Sequence, residues 1–372
     1  MSVGEVLSAV PLVRALARSF PERDIALTVT TKQGWSVARR ELAKETDVML
    51  PMPLDFWVAC RRIVRFLDPA AFILVETDLW PGLMNALERR GVPRVVVNGR
   101  ISPRTARGYR KMGRLSRFLL AGPTRWFMQS DLDAERLVRA GVPRRRVEVT
   151  GNIKFDVEWR PMTVRERVGL CRALGIEEDD PVWVAGSTHS GEEDLVLDVF
   201  ERLLKRFPSL RLILAPRRVE RGAELCAAAR ARGLRAALRS TGELQRLNPR
   251  IVVLDTLGEL GRLYGLAAVA FVGGSFVPVG GHNLLEPARF GLPVLFGPHM
   301  HNFAAMSASL LEAGGGEQVE DALALERAMD RLLGYPGEAD HMGRCAQDFV
   351  QANSGALNRV LQGIGELVHH AP

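Results

Sequence analysis

The chain has 372 residues, 47% of them hydrophobic and 25% charged; that suits two domains of about 150 to 200 residues and excludes a disordered or low-complexity protein. No window reaches the roughly eighteen continuous apolar residues of a membrane span, no secretory-signal pattern is seen, and the four cysteines lie far apart without C-x-x-C spacing, which reads as reduced thiols of a cytoplasmic protein. A formal net charge of +7 favours a polyanionic partner: nucleic acid, a phosphorylated lipid surface or a nucleotide-linked substrate.

Ser2-Val3-Gly4-Glu5 leads straight into a helical pattern (Val6, Leu7, Val10, Leu12, Val13, Leu16), as a βα turn would without the strand before it. Glu5, next to a glycine at a helix start, suits a general base, or else a first-turn glutamate favoured by the helix dipole. Strand-like runs at 25–31, 71–76, 94–98, 125–129 and 147–150 alternate with helical patterns near 34–43, 56–66, 79–90, 103–120 and 131–140. That alternation predicts a parallel α/β sheet with right-handed crossovers.

The apolar run before Glu76 puts Glu76, Thr77 and Asp78 at a strand's carboxyl end. Asp78 also suits the N-cap of the helix that follows, which leaves Glu76 as the better functional candidate. Arginines crowd the segment 100–117; Arg100, Arg104 and Arg107, nearest the strand end at Asn98, are candidates for phosphate or carboxylate recognition, against a solvated face of an amphipathic helix. Asp131-Leu132-Asp133 follows Ser130 and reads as a helix cap rather than a metal site. The seven histidines show no H-x-x-x-H spacing, and no Ser-His-Asp arrangement or Walker-type loop occurs, so no metal or bound cofactor is expected.

The alternation pauses at 151–163, the expected linker, and resumes with strands at 182–185, 211–215, 251–254, 269–272 and 294–296. This predicts a second doubly wound domain, with the carboxyl ends of both sheets at one ligand cleft. The boundaries are 1–155, 156–350, and a C-terminal helix at 351–372 packing back on the first domain. Ser187, Thr188 and His189 begin a strand-to-helix loop whose Ser190 and Glu193 match a capping box. Arg217 ends the strand at 211–215. The densest motif is 269–287: a buried strand, Gly273-Gly274-Ser275, Gly280-Gly281, and a helix expected to begin at His282-Asn283 and to carry Glu286. Glycines let backbone approach a ligand, a helix start favours a phosphate, and a carboxylate one turn inside can accept from a ribose diol.

Together these motifs resemble the Kdo transferases of lipopolysaccharide assembly, inverting enzymes of the GT-B fold. The resemblance rests on Ser2-Val3-Gly4-Glu5, Glu76-Thr77-Asp78-Leu79-Trp80-Pro81, Asn98-Gly99-Arg100-Ile101-Ser102 and Gly151-Asn152-Ile153-Lys154-Phe155-Asp156. It continues in Ser187-Thr188-His189 with Gly191-Glu192-Glu193, and in Gly273-Gly274-Ser275 with Gly280-Gly281-His282-Asn283 and Glu286. It implies transfer of Kdo from CMP-Kdo to a phosphorylated lipid A precursor (lipid IVA) without a metal, at the cytoplasmic, anionic face of the bacterial inner membrane. Glu5 would be the base, with Glu76 beside it. Ser187, Thr188, His189, Arg217, Gly273, Gly274, Ser275, Gly281, Asn283 and Glu286 would hold the donor, and Asp78, Arg100, Arg104, Arg107 and Lys154 the acceptor. The family's Pro-Arg-His is Pro216-Arg217-Arg218 here. By the same resemblance, relatives carry an anchoring helix and a first strand ahead of the Ser-Val-Gly-Glu motif, so the sheet of the first domain is expected to leave strand edges unpaired. Other readings are a GT-B enzyme using a UDP-sugar, such as a lipid A disaccharide synthase or an epimerase, and a basic nucleic-acid-binding protein. The last leaves Glu5, Glu76 and the glycine pairs without a role and lacks interleaved aromatics.

Overall fold

A computed structural model of the chain describes residues 3–77, 79–156, 160–242 and 244–369. The chain divides into two compact units, Met1–Glu158 with Asn353–Pro372, and Trp159–Ala352.

The first unit holds two parallel sheets. β1 (Ala26–Val29) pairs with β2 (Val48–Pro51); β3 (Phe72–Val75), β4 (Arg94–Gly99), β5 (Arg125–Met128) and β6 (Val147–Val149) pair in that order. Among the described residues β1 has a neighbour on one edge only, and so has β3. Residues of both line an apolar slot of about 660 Å³ together with Leu12, Val13, Leu83 and Ile364. The helix Val3–Ser19 buries Val6, Ala9, Leu12 and Val13. The helix Ala356–His369 contributes Ala356, Val360 and Ile364 to a core with Leu12, Val95, Val97 and Phe127. Asp156 fixes the start of that last helix by accepting from Leu357 N at 2.6 Å.

In the second unit, seven parallel strands run in the order β13-β12-β11-β7-β8-β10-β9. They are β7 (Val182–Thr188), β8 (Arg211–Pro216), β9 (Ala236–Leu238), β10 (Ile251–Val253), β11 (Val269–Val272), β12 (Val294–Phe296) and β13 (Gly316–Gln318). The central strands are apolar on successive residues because helices cover both faces of the sheet. Trp183, Leu212 and Phe271 belong to one buried layer; Val184, Ile213 and Ala270 belong to the other. From β7 the chain builds outward through β8, then returns to β11 on the other side of β7. The order of building reverses between β7 and β11, and in open α/β sheets ligands bind outside the carboxyl ends of the strands at such a point.

Three expectations need correction. The helix expected from His282 is a single turn, Leu285–Ala288. The capping box at Ser190 does not form: the helix Glu193–Leu203 follows Glu192 with no side-chain cap. The helix expected at 103–120 divides at Gly113, with φ of 55°, into Pro103–Met112 and Arg114–Leu120.

Candidate functional site

The loops after β7 and β11 are pressed together. A Cβ on Gly273 would stand 2.6 Å from Thr188 Cα and 2.7 Å from Ser187 O, so the position requires glycine. Ser187 takes a left-handed φ of 56°, a backbone cost that surrounding structure must hold in place. What fastens the loops is Glu192. Its fully buried carboxylate accepts from His189 N at 2.9 Å, Gly274 N at 2.7 Å, Ser275 N at 2.9 Å and Phe276 N at 2.8 Å. Ser275 is equally enclosed: its Oγ donates to Val272 O at 2.6 Å and accepts from Gly297 N at 2.9 Å. The glycine turn is therefore an anion-binding turn whose anion is internal. Gly273, Gly274 and Ser275 shape the site, and the N–H groups of Gly274 and Ser275 are taken by Glu192. Glu192 was passed over in sequence because an acidic pair after a glycine reads as a helix start.

Around this knot stand His189, Arg217, His282, Asn283 and Glu286. His189 Nε2 and His282 Nε2 are 2.9 Å apart, with rings nearly parallel at 9°. Burial first, then Arg217 and His189, push the His282 imidazole down to about 4. Arg217 is exposed, and its backbone N donates to Thr188 O at 2.8 Å, which ties β8's end to β7's. Glu286 is pushed above the usual carboxylate range by burial, against the opposing pull of Asn283, Arg289 and Arg217. Asn283 Oδ1 accepts from Leu285 N at 3.1 Å and so holds the turn that carries Glu286. Gly281, at φ of 76°, lies where a Cβ would meet Met300 Sδ at 2.2 Å. Thr188 is buried, and its Oγ1 has no hydrogen-bond partner.

In the first unit, Glu5 lies in the first turn of the helix Val3–Ser19. Glu76, at the end of β3 with φ of 68°, receives Lys154 Nζ at 3.8 Å. Thr77 Oγ1 donates to Arg100 O at 2.9 Å, so the two strand-end segments are joined. Arg100, Arg104 and Arg107 are exposed, with no ion pair among the described residues. Asn98, also left-handed at 59°, is buried, and its Oδ1 accepts from Ile153 N at 3.3 Å. Ser130 caps its helix through Asp133 N, and Asp133 Oδ1 accepts from Ile101 N at 2.8 Å, so that acidic pair has structural work. Asp78 lies outside the described residues. Among the described residues no group of three or more His, Cys, Asp or Glu could hold a metal ion, and no helix is long and apolar enough to cross a membrane.

The profile of the 3-deoxy-D-manno-octulosonic-acid transferase (Kdo transferase) family matches residues 1–157. A 3-deoxy-D-manno-octulosonic acid transferase of Haemophilus influenzae is 35% identical over 363 residues, covering 97% of this chain and 84% of that protein. The chain belongs to the Kdo transferase family. A second Kdo transferase, from Bordetella pertussis, is 34% identical and spans 98% of this chain and 85% of its own. The fold of this Kdo transferase extends further. A UDP-GlcNAc 2-epimerase from Neisseria meningitidis, solved with UDP-GlcNAc, superposes with a TM-score of 0.61 over 98% of this chain and 97% of that one, at 13% identity. The two parallel-sheet units are thus those of the GT-B class, and the chain is a glycosyltransferase.

Proposed function

We propose that this Kdo transferase takes the sugar from CMP-Kdo and places it on a hydroxyl of a phosphorylated lipid A precursor, with inversion. The second unit holds the nucleotide and the first holds the acceptor. The acceptor oxygen bonds to the anomeric carbon, the bond from that carbon to the phosphate oxygen breaks with its electron pair going to CMP, and the hydroxyl proton passes to Glu5. The observation that carries the reading is the cluster at the β7/β11 reversal. A half-buried Glu286 carboxylate, drawn on by Asn283 and Arg217, suits a ribose diol, and Arg217 beside two imidazoles suits a phosphate. Arg100, Arg104 and Arg107, without a carboxylate partner among the described residues, suit the acceptor's phosphates, and Lys154 with Glu76 stands near the same strand ends. A net charge of +7 favours docking at an anionic membrane surface, which supports a place at the cytoplasmic face of the inner membrane. The chemistry asks for no metal, since cations and dipoles of the protein meet the charge that develops on the leaving phosphate.

The test is Glu5→Gln, which keeps shape but cannot take a proton. We expect kcat to fall by at least about a hundredfold with CMP affinity unchanged. A variant as fast as the parent overturns the assignment of the base.

A further inference from the structure

With the backbone donors of the glycine turn engaged by Glu192, the charge of a bound phosphate falls to side chains. Two of these face each other. The contact of 2.9 Å between His189 Nε2 and His282 Nε2 holds one hydrogen: one nitrogen donates it, the other accepts with its lone pair, and the accepting ring carries its own hydrogen on Nδ1. The neutral pair thus offers one Nδ1–H and one bare Nδ1 at its outer edges. A single added proton converts the bare nitrogen into a second donor and spreads a positive charge over two stacked rings whose centroids are 5.2 Å apart.

The charged group acting on His282 is Arg217, from the loop after β8; Glu192, ahead of the helix Glu193–Leu203, accepts from His189 N, and Glu286 on the turn Leu285–Ala288 is drawn on by the same Arg217. Glu192 is held by four N–H groups, and Glu286 is drawn on by Asn283, Arg289 and Arg217. Burial first, then Arg217 and His189, keeps the unliganded His282 neutral. An incoming anion reverses that balance.

We propose that His189 and His282 bind the nucleotide's phosphate as one protonated unit, so that each CMP bound draws a proton from solution. This rests on the CMP-Kdo reading above and adds His282, which no motif reading had placed in the site, to the residues that hold the donor. Because the unliganded His282 is pushed down to about 4, any charge on it near neutral pH is acquired with the ligand rather than stored beforehand. A leaving CMP carries one more negative charge than the phosphodiester of the donor, and the shared proton sits where that charge grows.

Calorimetric titration of the full chain with CMP at about pH 7, in buffers of different ionisation enthalpy, counts the protons taken up. The parent is expected to take up close to one per CMP, and His282→Gln and His189→Gln close to none, with CMP binding to the parent weakening by up to about tenfold for each pH unit raised. Uptake that persists in both variants assigns the proton to CMP itself and overturns the proposal. So does binding to the parent without uptake, which leaves the donor reading standing, whereas no binding of CMP to the parent removes both. If neither variant folds, the imidazole nitrogen chemical shifts of the parent decide: they should move to the protonated range with CMP, and unmoved shifts overturn the proposal.

Discussion

The two units use the same βα repeat and differ in how their sheets are closed. In the second unit β7 is flanked by β8 and β11, and the loops at its end are fastened by a buried carboxylate. In the first, β1 and β3 stand on either side of an apolar slot, and among the described residues each keeps an edge without a partner. Phe72 N donates to Pro93 O, just ahead of β4, and Glu76 N to Val97 O within it, so by alternation the N–H groups of Ile73 and Val75 face the other edge. Continuous pairing makes a rigid frame for nucleotide groups that must be held closely, while an open edge leaves backbone groups that only water or another strand can satisfy.

The largest change should come from removing the fastening. Glu192→Ala leaves four N–H groups without their acceptor, and we expect the second unit to lose about 3 to 5 kcal/mol, read as a lowered denaturant midpoint. A loss below about 1 kcal/mol would mean that the loops are held by their packing instead, and the contrast between the units would weaken. Hydrogen exchange measures the contrast directly. The amides of Ile73 and Val75 should exchange at least about a hundredfold faster than that of Ala270, which donates to Pro293 O within the closed sheet. Equal protection would show the slot to be closed in solution.

The smallest effect concerns Glu286. Its carboxyl is pushed up in the folded state, chiefly by burial. A group raised in this way contributes stability below its ordinary value and loses it as the pH rises through the folded value. At neutral pH the ionised side chain is therefore a net cost to the empty protein. Glu286→Gln should raise the melting temperature by a degree or two near pH 7, corresponding to less than about 1 kcal/mol, and leave it unchanged near pH 4, while weakening CMP. A lower melting temperature near pH 7 would show that Arg217 outweighs burial.

Much of this was legible in the residues. The central strands are unbroken apolar runs, and β7, β8, β10, β11 and β12 fall where the sequence puts them. β2, β9 and β13 were not expected: they are edge strands of three or four residues, β9 alanine-rich, β13 partly polar and β2 apolar but closed by Pro51. In the site, Arg217 could be named because it lies just past a strand, and Glu286 because it follows the second glycine pair. The roles of Glu192 and His282 come from contacts across 82 and 93 residues, which no local pattern records.

The internal carboxylate has a consequence for competition. A glycine turn with open N–H groups attracts any small oxyanion, so an enzyme built on one is inhibited by the inorganic phosphate or sulfate around it. Here Glu192 already occupies that seat. Free oxyanions therefore find the N–H groups of Gly274, Ser275 and Phe276 taken, and selection among ligands falls to the side chains around the turn.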